Sequence, residues 1–232
     1  MSRILENEIQ QLERTLLLLS VKAEENLHDA IKSVLERDLE VAETVIENDA
    51  EIDRMEVELE EECLKVLALH QPVAVDLRFI VAILKINNDL ERVGDLATSI
   101  AKRATTLVEN GEIVPPFEVS DMAGRAWSMI RKSLDALVKM DTDMAREIGL
   151  EDLDLDKQHR ENTRTIEAAV KTDPTHISAY MAYLWISRAL ERIGDHATNI
   201  GEDVVYLLKG EIVRHGKKAL PPQEAEDTRK ER

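Results

Sequence analysis

The chain has 232 residues, enough to bury a substantial core as one large domain or two small ones. Its 47 acidic and 30 basic side chains give a formal charge of −17, which argues against nucleic acid as a partner and favours multivalent cations or a basic protein surface. Apolar runs such as residues 79–86 fall well short of the ~20 residues that span a bilayer. The N-terminus is charged from Arg3 and lacks a signal-peptide core, and the single cysteine, Cys63, excludes an internal disulfide framework. The expected location is the cytoplasm, with any membrane association made through protein partners.

Aromatic residues make up 3% of the chain, and there are only eight Gly and six Pro. No segment alternates apolar and polar residues with period two, so the expected class is all-α. Leu12, Leu16, Leu19, Ala23, Leu27, Ala30 and Val34 step by threes and fours and draw one apolar stripe on a first helix. A break near 36–40 leads to a second, striped by Ile52, Met55, Leu59, Cys63 and Val66. Pro72 fits the first turn of a third helix carrying Ile86, Leu90, Val93, Ala97 and Ile100. Gly111, Pro115 and Pro116 mark the clearest boundary.

The second half repeats this layout. A fourth helix is expected from Ala123 through Met144, and a fifth after Gly149; Pro174 starts a sixth with Ile186, Leu190, Ile193, Ala197 and Ile200. The expected domains are 1–112 and 113–213, two tandem three-helix bundles, followed by a charged tail at 214–232 expected to be disordered.

The strongest signal is a doubled phrase. "LERVGDLATSI" begins at Leu90 and "LERIGDHATNI" at Leu190, with eight of eleven residues identical at an offset of 100. Glu91 and Asp95 lie four apart and therefore on one helix face, as do Glu191 and Asp195, with Asn199 one turn further on. Upstream of each Pro turn stand Asp49 and Asp53, and Asp152 and Asp156. If each turn folds its helices antiparallel, residues equally far from it face each other, so each half juxtaposes an Asp pair with a Glu-Asp pair. Like charges four apart destabilise a bare helix by a few tenths of a kcal/mol, and a bound cation reverses that sign. Gly94 and Gly194 sit between the acids, where a missing Cβ permits close approach. The ordinary alternative is a solvated helix face, which also accounts for the thirteen acids in 36–62. Arg92 and Arg192 are equally repeated and read as salt-bridge formers in the bundle or as partner contacts. Cys63 reads as a small core residue, and His70, His159 and His176 as surface or helix-end histidines.

These residues carry a resemblance. Two three-helix units with "LERxGDxAxxI", together with "QPVAVDLRFIVAILKINNDLERVGD" and "SRALERIGDHATNIGEDVVYLLKGE", resemble the PhoU family of phosphate-uptake regulators over about residues 5 to 215. The resemblance implies a non-enzymatic negative regulator of phosphate import and phosphate-starvation signalling, often a homodimer. It further implies that the regulator links the ATPase subunit of a phosphate ABC transporter to a sensor histidine kinase. It also implies multinuclear metal clusters, iron foremost with Zn, Mn, Ni, Mg or Ca as alternatives, on Glu91/Asp95, Glu191/Asp195, Asp49/Asp53 and Asp152/Asp156. His196 stands where the first motif has Leu96, so the two halves need not be equivalent. The rival readings are a di-metal carboxylate oxidase, which wants two Glu-x-x-His units where only Glu25/His28 is found, and a metal-independent helical adaptor.

Overall fold

The structure, a computed structural model, describes residues 3–111 and 113–211; the expected tail at 214–232 lies outside them. Six long helices follow in order: α1 (Arg3–Glu36), α2 (Leu39–His70), α3 (Val75–Glu109), α4 (Val119–Lys139), α5 (Thr142–Thr172) and α6 (Ile177–Lys209), with a short 3₁₀ turn at Pro174–His176 before α6. Among the described residues there is no strand, and no helix is long and apolar enough to cross a membrane.

The stripes read from the sequence are the buried faces. Leu12, Leu16, Leu19, Leu27, Ile52, Leu59, Ile86, Leu90, Val93 and Ile100 are all at most 3% exposed, and Cys63 is fully buried among them, its thiol pushed up to about 12 by that burial. Each repeat closes its own three-helix core. The repeats then meet through α3 on α6 and α1 on α4, which leaves α2 and α5 outermost, each packed only within its own repeat.

Corresponding corners are built alike. α1 ends with Arg37 at φ 56°, and α4 ends with Met140 at φ 52°. The next residue is an aspartate in both. The amide N–H of Asp38 donates to the Ser33 carbonyl at 3.0 Å, and that of Asp141 to the Ala136 carbonyl at 2.9 Å. Asp38 Oδ1 then accepts from the N–H groups of Glu40 and Val41, and Asp141 Oδ1 from those of Asp143 and Met144. Arg37 also donates to the carbonyls of Gly111 and Ile113, fastening the inter-repeat linker.

Two expectations are corrected by these corners. α4 stops at Lys139 and not near Met144, because the Met140–Asp141 stop-and-cap pair ends it; Gly149 lies inside α5, with nothing near enough to hinder a side chain there. Pro72 is in the α2–α3 loop and not in the first turn of α3, since Ala74, at φ 51°, separates it from the helix. Pro174 does open the 3₁₀ turn that runs into α6, and Asp173 caps it through the Thr175 N–H at 3.1 Å.

The α3–α6 contact is antiparallel, and its two ends differ. On one side Asp89 Oδ1 lies 2.8 Å from His196 Nδ1 and accepts from Asn199 Nδ2 at 3.1 Å. Further along, Lys85 Nζ reaches Asp203 Oδ1 at 2.8 Å and lies 4.6 Å from the Tyr206 ring centre. The positions related by the internal repeat are Leu96 and Ala189, both buried, and Arg103, whose guanidinium lies 5.6 Å from the Trp185 ring centre.

Candidate functional site: two rows of carboxylates

The antiparallel α2–α3 and α5–α6 hairpins bring the expected acids together in both repeats. In the first, Asp49 and Asp53 on α2 face Asp95 and Glu91 on α3. Burial raises the pKa of Asp49, the nearby Thr98 hydroxyl and Lys102 oppose this, and the charges of Asp53 and Asp95 add to it. Burial also raises Glu91, helped by Asp95, Asp53 and Glu56 and countered by Arg92. In the second repeat Asp152 is pushed up to about 7, first by burial and then by Asp195, Asp156, Glu191 and Glu202. Glu191 and Asp195 are raised by burial, with Asp156 acting on both. All eight acids expected from the doubled motif and the Asp pairs therefore stand in these two rows.

The glycines explain the close approach. A Cβ on Gly94 would meet Ile52 Cγ2 at 3.2 Å and lie 3.8 Å from Asp49 Oδ1; one on Gly194 would meet Leu155 Cδ2 at 2.5 Å and Asp152 Oδ1 at 3.1 Å. Their hydrogens let α2 and α5 lie directly over the acidic faces of α3 and α6.

Two buried oxygens in the second row have no hydrogen-bond partner among the described residues, Asp152 Oδ1 and the hydroxyl of Thr198. Arg92 Nε lies 3.3 Å from Glu91 Oε2, and its Nη1 donates to Asp95 Oδ2 at 3.0 Å, so Arg92 is spent on its own helix. Arg192 likewise acts on Glu191 and Asp195. Buried acceptors without donors are costly in a folded protein, and oxygen-only sets of this kind are what hard divalent cations and iron bind. Among the described residues no three His, Cys, Asp or Glu side chains converge on one point. Each site is a row of separated carboxylates, not a ready-made chelate.

Other residues fall differently from the sequence reading. The Asn199 amide engages Asp89 across the repeat interface and does not join the second row. His196 is also turned to Asp89, so the Leu96/His196 difference belongs to the inter-repeat contact. His159 lies within α5, not at a helix end, with Nδ1 2.9 Å from Ser187 Oγ and its pKa lowered by burial. Sequence reasoning missed Glu56, beside Asp53 and Glu91, as well as Thr98 and the pair Lys102 and Glu202. Their signal was present: at about 100° per residue, positions 91, 95, 98 and 102 share about 60° of arc, whereas 199 lies about 80° from 191.

Comparison with known proteins agrees with this architecture. The PhoU domain model matches twice, at residues 16–104 and 119–204, one match per three-helix repeat. A phosphate-specific transport system accessory protein PhoU homolog of Pseudomonas putida is 39% identical over 209 residues, 90% of this chain and 82% of the relative. The crystal structure of PhoU from Pseudomonas aeruginosa superposes with TM-score 0.86 at 36% identity, covering 89% of this chain and 99% of that one. The phosphate transport system regulatory protein PhoU from Streptococcus pneumoniae does so with TM-score 0.82 at 31% identity, covering 90% and 99%. With both repeats matched and the relatives covered nearly end to end, this chain belongs to the PhoU family.

Proposed function

We propose that this protein is a non-enzymatic accessory regulator of a phosphate-specific transport system, acting in the cytoplasm as a negative regulator of phosphate uptake and starvation signalling. The supporting observation is the pairing of full-length family membership with the accessory and regulatory roles printed in its relatives' names. In this reading the partners are the transporter's ATPase subunit and a sensor histidine kinase, and the protein works as a homodimer. The net charge of −17 favours basic docking surfaces on those partners.

The two carboxylate rows are proposed as metal sites. Asp49, Asp53, Glu91 and Asp95 would hold one cluster, and Asp152, Asp156, Glu191 and Asp195 the other, with iron the first choice and Zn, Mn, Ni, Mg or Ca as alternatives. The metal would supply positive charge that offsets carboxylate repulsion and ties α2 to α3 and α5 to α6. The orphaned oxygen of Asp152 supports the assignment. Arg92 and Arg192 would orient the rows from the flank and offer their exposed faces to a partner.

Deletion of the gene is expected to derepress phosphate-starvation genes in ample phosphate. Unchanged expression would remove the signalling role. For the sites, elemental analysis of chelator-free protein is expected to find metal that Glu91→Ala/Asp95→Ala and Glu191→Ala/Asp195→Ala together abolish; equal metal in parent and variant would overturn the ligand assignment.

A further inference from the structure

The two repeats leave an apolar pocket where they meet. Leu17 of α1, Phe79 of α3, Leu137 and Val138 of α4, and Leu207 of α6 line it, and its one charged member is Glu13. Four helices and both repeats therefore contribute to one concavity. Val138 is 60% exposed and Met140 beside it 39%, so apolar surface stands open to water here. Among the described residues Glu13 makes no ion pair.

The chain leaves α6 at the rim of this pocket. Leu207 is part of the wall, and three residues later Gly210 ends the helix in the left-handed conformation, φ 70°, its N–H donating to the Tyr206 carbonyl at 2.8 Å. A left-handed residue at that place turns the following chain back towards the last helical turn. A Cβ on Gly210 would stand 3.1 Å from Arg78 Nη1, so the turn is held against the residue next to Phe79. The remaining distance is short. Three helical residues cover ~4.5 Å and two extended ones ~7 Å, which keeps the Cα of Ile212 within ~12 Å of that of Leu207.

The next residues have the composition to fill the pocket and to neutralise its acid. Ile212 and Val213 are apolar, and residues 212–223 carry Arg214, Lys217 and Lys218 without one acid, in a chain of net charge −17. A second copy of the chain brings that same −17 to the pocket and loses translational and rotational freedom that a tethered segment has already given up.

We propose that the pocket is the docking site of this chain's own segment 212–218. Ile212 and Val213 enter between Leu17, Phe79 and Val138, and Arg214 pairs with Glu13. The docked segment touches α1 and α3 of the first repeat and α4 of the second, and so clasps the repeats together. This docking is independent of the carboxylate rows and of any metal in them.

The test uses the full chain carrying Ile212→Cys with either Val138→Cys or Lys139→Cys, oxidised with diamide at low protein concentration. Cys63 is fully buried and stays out of the reaction. Val138 lines the pocket, whereas Lys139 is turned to Asp135, its Nζ donating at 2.9 Å. The 138–212 disulfide is expected to form within one chain at least ~10-fold faster than the 139–212 one, because docking raises the effective concentration at one position only. Glu13→Lys is expected to remove that preference, and Glu13→Lys with Arg214→Glu to restore it. In the chain without added cysteines, Ile212→Asp/Val213→Asp is expected to raise the fluorescence of 1-anilinonaphthalene-8-sulfonate at least ~2-fold by uncovering the pocket. Equal rates at 138 and 139, or unchanged dye fluorescence, would overturn the docking. Disulfides formed between chains instead of within one would overturn it as well, in favour of a second copy as the occupant.

Discussion

Asp152 is the carboxylate held furthest from its behaviour in water, at about 7 against an ordinary value of 3.8. The folded state therefore binds a proton that the unfolded chain has already released between about pH 4 and 7. Stability contributed by this group is present below the unfolded value and is lost as pH rises through about 7. In chelator, the melting temperature of the parent is expected to fall between pH 5 and 8, and Asp152→Asn is expected to flatten that fall and to be the more stable form at pH 8. Differential scanning calorimetry at the two pH values checks this; parallel pH curves for parent and variant would refute it. The pairing of Asp53 with Glu91 was legible from their equal distances to the turn, because an antiparallel hairpin leaves little freedom in register. Glu56, Lys102 and Glu202 were harder to see, because the doubled motif drew attention to identical residues, and these are the positions at which the repeats differ. Asn199 looked like a ligand by simple counting, but the helix has rotated it towards Asp89.

For the helices, apolar stripes located α1, α2, α3, α4 and α6, whereas α5 was expected only as the segment after Gly149, and the errors lay at the ends. Gly149 was taken for a boundary because glycine ordinarily weakens a helix by ~1 kcal/mol; tertiary packing carries α5 through it. The true boundary was written in Asp141, a capping residue identical in role to Asp38, and only the internal repeat would have exposed it. Glycines of α3 and α6 matter in graded fashion. Gly94→Ala pushes on the ends of Ile52, and its helix-propensity gain offsets much of that strain, for a net change within ~1 kcal/mol. Gly201→Ala drives a methyl into the backbone of Ala145, which cannot step aside as a side chain can. It is expected to destabilise by about 2–3 kcal/mol. Urea unfolding of the two variants should separate them, and equal midpoints would contradict the close approach of α5 and α6.

Across the whole molecule, the sequence announced two tandem bundles but not how they meet. Periodicity reports which face is buried and says nothing about which repeat buries it, so the α3–α6 seam was invisible until the helices were placed. One of its polar elements is Lys85 on Asp203, an aspartate whose side chain is only 1% exposed. Lys85→Met withdraws the ammonium from that site and is expected to cost about 2–3 kcal/mol, less than a fully buried pair because Lys85 is 29% exposed. Adding Asp203→Leu should return part of the loss in urea denaturation; a neutral Lys85→Met would show the pair to be idle.

The uneven seam between α3 and α6 also fixes which halves can recognise each other. Docked in the same manner, two copies of the first repeat would set Asp89 against Leu96 and Lys85 against Arg103. Two copies of the second would set Ala189 against His196 and Trp185 against Asp203. Each like-with-like pairing brings a charge against a leucine, a cation or an indole, while the native pairing satisfies all of them at once. What reads in the sequence as a simple doubling has become a pair of unlike parts, each specifying the other as its mate and rejecting its own twin.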